Sequence, residues 1–91
     1  SLGTIPDYAG PPDGAGVLLA GVRPGSAAEK AGMKRGDTLI GLGKTDIKGL
    51  HDFMFVLNGA KPGQTISARL KRDGKLVTVQ VTFEEKAPRK E

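Results

Sequence analysis

The chain has 91 residues, 37% of them hydrophobic and 26% charged, with a net charge of +4 and a pI near 9.6. This balance describes one small soluble globular domain and excludes a disordered chain, and at this size roughly 60–65% of the unfolded surface is buried on folding. The absence of cysteine excludes disulfide scaffolds, thiolate nucleophiles and zinc-finger spacings together.

In chain order, Leu2 to Ile5 is a short β-prone stretch stopped by Pro6, which has no N–H to give to a ladder. Residues 7–16, with Pro11, Pro12 and three glycines, read as a loop. Val17 to Val22 is an apolar run bounded by turn signals, the pattern of a buried strand. Ser26 and Glu29 then form a capping box, and Gly32 supplies a left-handed stop, so a helix of little more than one turn is predicted at 27–31. Arg35-Gly36-Asp37 makes a turn before a second buried strand, Thr38 to Leu42. Thr45 to Ile47 is a minor strand.

Gly49 is placed to cap a longer helix, with Asp52 at its third position where a carboxylate favours the positive helix end. That helix runs from Leu50 to about Asn58, ahead of Gly59 and Pro62. Leu50, Phe53, Met54 and Leu57 fall at i, i+3, i+4 and i+7, one apolar stripe; Phe55 points away from it. Thr65 to Arg72 and Lys75 to Phe83 alternate with period two, and Asp73-Gly74 between them is a strong type I′ hairpin signal. From Glu84 the chain is charged, so the domain is expected to span 1–83 with a frayed tail at 84–91. Five or six short strands and two capping helices imply a mainly β fold, a partly open antiparallel barrel or sandwich.

The motifs that suggest catalysis have simpler explanations. Gly43-Lys44-Thr45 lacks the earlier glycine of a phosphate-binding loop and lies between two strands, so it reads as a β-turn. His51 is the only histidine, and its neighbour Asp52 diverges from it by about 100° on a helix, so no triad forms. One histidine and no cysteine give no metal-ligand set, and Asp37 reads as a turn residue accepting backbone hydrogen bonds. Lys and Arg are scattered except for Lys86, Arg89 and Lys90, with no aromatic residues between them, which argues against a nucleic-acid surface. No apolar run has the length of a membrane helix. The first residue is not Met, and the chain is expected to be part of a longer protein with any targeting sequence elsewhere.

The segment Leu2-Gly3-Thr4-Ile5 beside the helix 50–58 stands apart. A glycine turn entering a strand exposes successive N–H groups that suit an anion. If the strand is an edge, an extended peptide can add to it with its carboxylate in that nest. The simpler alternative, in which Leu2 and Ile5 merely close the barrel edge, stays open at this point.

Taken as an ordered set, Leu2-Gly3, Gly16-Val17, Arg23-Pro-Gly-Ser-Ala-Ala-Glu-Lys-Ala-Gly32-Met33, Arg35-Gly36-Asp37-Thr38-Leu39-Ile40 and Arg72-Asp73-Gly74-Lys75 resemble the PDZ family over residues 1–83. The order resembles the bacterial arrangement of protease-associated members, in which the last strand, here 75–83, stands where animal members begin. The resemblance implies a peptide-binding module without catalytic residues of its own. It assigns the backbone N–H groups of Leu2, Gly3 and Thr4 as donors to a ligand carboxylate, Thr4 and Ile5 as the pairing strand, and Leu50, Met54 and Leu57 as the groove wall. An apolar Leu50 would favour an apolar residue two positions from the ligand's end. Pro6 departs from the family pattern where an N–H would meet the ligand's third-from-last carbonyl.

The opening Leu-Gly-Thr-Ile-Pro-Asp-Tyr further resembles the PDZ domain of secreted bacterial zinc aminopeptidases of metallopeptidase family 28. Zinc and catalytic residues would then lie outside this chain, which needs no cofactor itself, and the protein would be periplasmic, secreted or in the cell envelope. The partners implied are peptide or protein C-termini, or alternatively the protein's own catalytic domain, with the module structural or regulatory and binding no free peptide.

Overall fold

Period-two alternation in the strands and two capped helical segments generate the architecture, and a computed structural model describes residues 2–11 and 14–84. The elements are β1 (Thr4–Pro6), β2 (Val17–Val22), α1 (Ala27–Ala31), β3 (Thr38–Leu42), β4 (Thr45–Asp46), α2 (Leu50–Gly59), β5 (Thr65–Arg72) and β6 (Lys75–Thr82). All strand pairs are antiparallel, in the order β1-β2-β3-β5-β6 with β4 attached to β3. The sheet is therefore open, with β1 and β6 at its ends, as the mainly β, two-helix expectation requires.

Most boundaries coincide with the sequence reading, and the departures are at ends. The first strand starts at Thr4 rather than Leu2 and includes Pro6, which an edge strand tolerates because one side of its backbone needs no partner. α2 takes in Gly59, one residue past the expected stop. Of the tail expected from residue 84, only Glu84 is among the described residues; it accepts a hydrogen bond from Lys30 Nζ at 2.6 Å.

The local signals act as their chemistry dictates. Ser26 Oγ accepts from the Glu29 N–H at 3.2 Å, closing one half of the capping box. The other half is shifted by one residue: Glu29 Oε1 takes the Gly25 N–H at 2.6 Å, because the Ser26 N–H is committed to the Arg23 carbonyl. Asp52 Oδ2 similarly reaches back to the Lys48 N–H at 2.9 Å. Asp73 and Gly74 both take positive φ, 53° and 78°, as a type I′ turn demands.

The core gathers Leu19, Leu39, Leu42, Leu70 and Val81 from the sheet with Phe53 from α2, each fully or almost fully buried. Each such side chain contributes roughly 1.5–3 kcal/mol of transfer free energy. Of the α2 stripe, Leu50 and Leu57 are half-buried against this core and Val56 joins them. Met54 does not, being exposed.

The sequence reading of Asp37 as a turn residue is half of its role. Its carboxylate does accept the Lys34 N–H at 2.8 Å, but it is also buried, 1% exposed, and clamped by Arg72. Nε and Nη2 of Arg72 meet Oδ1 and Oδ2 of Asp37 at 2.8 and 2.7 Å, and Nη2 also donates to the Gly32 carbonyl at 2.7 Å. Burial alone would raise the Asp37 pKa, but the Arg72 hydrogen bonds, the Lys34 N–H and the two positive charges outweigh it and hold the carboxyl below its usual range. The same pairing raises Arg72.

Because the folded Asp37 binds its proton more weakly than the unfolded one, whose pKa is about 3.9, its contribution is present above that pH and is lost as pH falls through the lower folded value. Urea unfolding between pH 2 and 5 should show stability falling toward the acid end with a steeper slope in the wild type than in Asp37→Asn. At pH 7, Asp37→Ala should cost about 3 kcal/mol, the low end for a broken buried pair because Arg72 keeps partial access to water.

Candidate functional site

The outer edge of β1 is built by an alternation that two hydrogen bonds define. The Gly3 carbonyl accepts from the Arg23 N–H, and the Asp7 N–H donates to the Leu18 carbonyl, both at 2.8 Å and both toward β2. Residues 3, 5 and 7 therefore turn their backbone groups inward, and Thr4 and Pro6 turn theirs outward to the unpaired side. Thr4 offers both an N–H and a carbonyl there. Pro6 offers only a carbonyl. A bulge on β2 between the partners of Ile5 and Pro6 keeps this alternation intact along β1.

Just before the strand, Gly3 adopts φ 85°, which turns the backbone so that consecutive N–H groups converge. No acceptor among the described residues takes the N–H groups of Leu2 and Gly3. The turn is rigidly held all the same. The Leu2 side chain is buried at 2% exposure, its carbonyl accepts from the Ala28 N–H at 3.0 Å, and Gly3 lies against the Ser26 side chain, where an added Cβ would overlap. The serine that caps α1 thus also backs the turn.

α2 faces this edge without closing on it. Leu50 lies across a cleft of about 140 Å³ from Pro6 and Tyr8, floored by Val17 and Leu18. The expected site residues divide accordingly. Leu2 contributes backbone, its side chain being core. Gly3 and Thr4 contribute donors. Ile5 is 43% exposed on the outer face, against Gly21. Leu50 and Leu57 are half-buried and Met54 is 48% exposed, so the helix carries apolar surface without a full complement of neighbours.

Tyr8 was not singled out from the sequence. Its signal is positional: the only tyrosine follows the strand-ending Pro6-Asp7 and is held 82% exposed by a turn in which Asp7 Oδ1 takes the Ala9 N–H at 2.9 Å. A larger cleft of about 460 Å³ lies under the exposed Phe55, between α2 and the β3–β4 turn. It is lined by Thr45 of the two-residue strand β4 and does not include the residues of the Gly3 turn. The other features weighed from the sequence stay simple: Gly43 and Lys44 form a turn, His51 is exposed, and no group of three or more metal-ligating side chains is found among the described residues. Among these residues no helix is long and apolar enough to cross a membrane.

The family described as the PDZ domain matches the chain over residues 6–83. The chain belongs to the PDZ family. As a PDZ domain it is a non-catalytic module of the kind found in proteases. It is 35% identical over 69 residues to a protein of Marinomonas sp. (strain MWYL1) described as a DegP-like periplasmic serine endoprotease, a match covering 76% of this chain and 15% of that protein. It is 38% identical over 64 residues to the protease RseP of Photorhabdus luminescens, covering 69% of this chain and 27% of that protein. Its fold is similar to that of the HtrA-type protease AlgW solved with a decapeptide, with a TM-score of 0.84 at 24% identity, covering 98% of this chain and 30% of that one. The PDZ chain thus spans less than a third of the length of these proteins.

The close approach at Gly3 yields a test. Gly3→Ala combines a disfavoured positive φ with an overlap on Ser26 and should destabilise the domain by about 1–3 kcal/mol. Thermal unfolding should show this, with the largest amide shifts at Leu2–Thr4 and Ser26.

Proposed function

We propose that this PDZ domain binds the C-terminal end of an extended peptide by strand addition to β1. The ligand's carboxylate lies on the N–H groups of Leu2, Gly3 and Thr4, and its apolar side chains lie against Leu50, Met54 and Leu57. The observation that carries this reading is the combination of an outward-facing Thr4 and a left-handed Gly3 at a strand edge that has no other partner among the described residues. The solved AlgW structure contains a decapeptide, which supports the same use of the fold here. The chain's place in longer relatives supports a role as the substrate-capturing part of a bacterial peptidase working in the periplasm, the cell envelope or outside the cell. The aminopeptidase-like opening supports a zinc aminopeptidase as that enzyme, with the metal held outside this domain.

A second reading is favoured by Pro6, which removes one donor from the edge. In it the domain packs on its own catalytic domain and takes no free peptide. Titration of the labelled domain with peptides bearing a free C-terminus separates the two. Shifts of the Leu2–Ile5 amides support capture, and their absence at millimolar peptide overturns it.

Pro6→Ala restores the missing N–H. Since a net hydrogen bond contributes about 1 kcal/mol, peptide affinity should rise about fivefold. On the packing reading, the substitution leaves peptide binding undetectable.

A further inference from the structure

The peptide-capture reading accounts for Thr4 and the Gly3 turn but leaves unexplained the cleft at the other end of β1. Its walls are Pro6, Tyr8 and Leu50, its floor Val17 and Leu18, and its lining is dominated by apolar side chains. Tyr8 stands 82% exposed at its rim, outside the core cluster, yet the chain beneath it is fixed. The Asp7 N–H is bound to Leu18, the Gly10 N–H donates to the Asp7 carbonyl at 3.0 Å, and the Asp7 carboxylate closes the turn on Ala9. A tyrosine held out in this way presents a large surface with little side-chain entropy to lose on contact.

The register says which part of a ligand arrives there. A peptide whose last residue pairs with Thr4, carboxylate toward Gly3, runs antiparallel to β1, with its third-from-last residue opposite Pro6. Side chains alternate with period two, so the last, third-from-last and fifth-from-last side chains share the α2 side. The third meets Pro6 and Leu50. The fifth is the next on that side, and it falls beyond Pro6, where strand pairing has ended and Tyr8 begins.

Resting on the peptide-capture reading, we infer that Pro6, Tyr8 and Leu50 form a subsite for an apolar side chain at the ligand's fifth-from-last position. Selection at this position takes the place of the backbone bond that Pro6 cannot make. Strand addition is then short, and discrimination among ligands moves upstream of the residues that pair.

The test uses fluorescein-labelled heptapeptides with free carboxylates, C-terminal valine, leucine at the third-from-last position, alanine elsewhere, and Ala, Leu, Phe or Asp at the fifth-from-last. Leu and Phe should bind roughly three- to tenfold more tightly than Ala, the size expected for partial burial of such a side chain, and Asp should bind no better than Ala. Tyr8→Ala should erase the advantage of the Leu and Phe peptides over the Ala peptide, and Tyr8→Phe should retain it. Equal affinity of all four peptides, with the Leu2–Ile5 amides shifting normally, overturns the subsite and leaves capture standing. Absence of any Leu2–Ile5 shift with all four overturns capture itself, and the subsite with it.

Discussion

The clamp of Arg72 on Asp37 is the constraint on which the site depends. One guanidinium ties the end of β5 to the turn before β3 through a bidentate pair and to the Gly32 carbonyl at the C-cap of α1. Such a fork has fixed geometry, so it sets orientation as well as distance. α1 has only five residues, far too few to be stable alone; its position comes from burial of Ala27 and Ala28 in the core, from packing on β6, from its caps and from this anchor. α1 in turn holds the ligand edge, because Ala28 donates to the Leu2 carbonyl and Ser26 backs Gly3. The N–H groups of the Gly3 turn are thus aimed by a chain of contacts that ends at a buried carboxylate some distance away in sequence.

The opposite demand acts on β1. A strand that receives a ligand must keep its outer hydrogen-bonding groups unpaired, and that same feature invites association with any other extended chain. Here the unpaired edge is very short. Thr4 alone presents both a donor and an acceptor, Pro6 presents an acceptor, and beyond it Asp7 is bound back to Leu18. Proline at an outward position is a common protection for edges, and it divides the groove in two. On the capture reading, the Gly3 end works through backbone N–H groups and the Tyr8 end through side chains.

Much of the fold was legible because its signals are local. Asp73-Gly74 between alternating strands, Ser26 three residues before Glu29, and Gly32 after one helical turn each state their conformation within a few residues. What was not legible depends on partners distant in the chain. Asp37 read as a turn residue because Lys34 is near in sequence, whereas Arg72, which decides its burial and charge state, is 35 residues away. Met54 fits the apolar stripe by spacing but lies where the sheet leaves α2 uncovered, and Val56, off that stripe, packs on the core. At the site, the left-handed turn at Gly3 was legible from a glycine placed just before a β-prone stretch. Tyr8 carried only a positional signal, because an exposed aromatic residue in a loop has no periodicity to mark it.

Dividing recognition between a few backbone donors and two apolar side-chain sites has an energetic consequence for the capture reading. Each net hydrogen bond contributes about 1 kcal/mol, and the translational cost of association is several times larger, so a groove with so few backbone bonds binds free peptide weakly. On this reading weak binding is sufficient, because the matched module is only 15% of the DegP-like protein and 30% of the AlgW chain. When one end of a substrate rests on this domain and the rest meets an attached active site, the second contact is intramolecular, at an effective concentration in the millimolar range for a short flexible linker. On the capture reading, a tighter groove would slow release of a bound chain end; Pro6 would keep affinity low at the edge, and the side-chain sites would decide which chain ends are held longest.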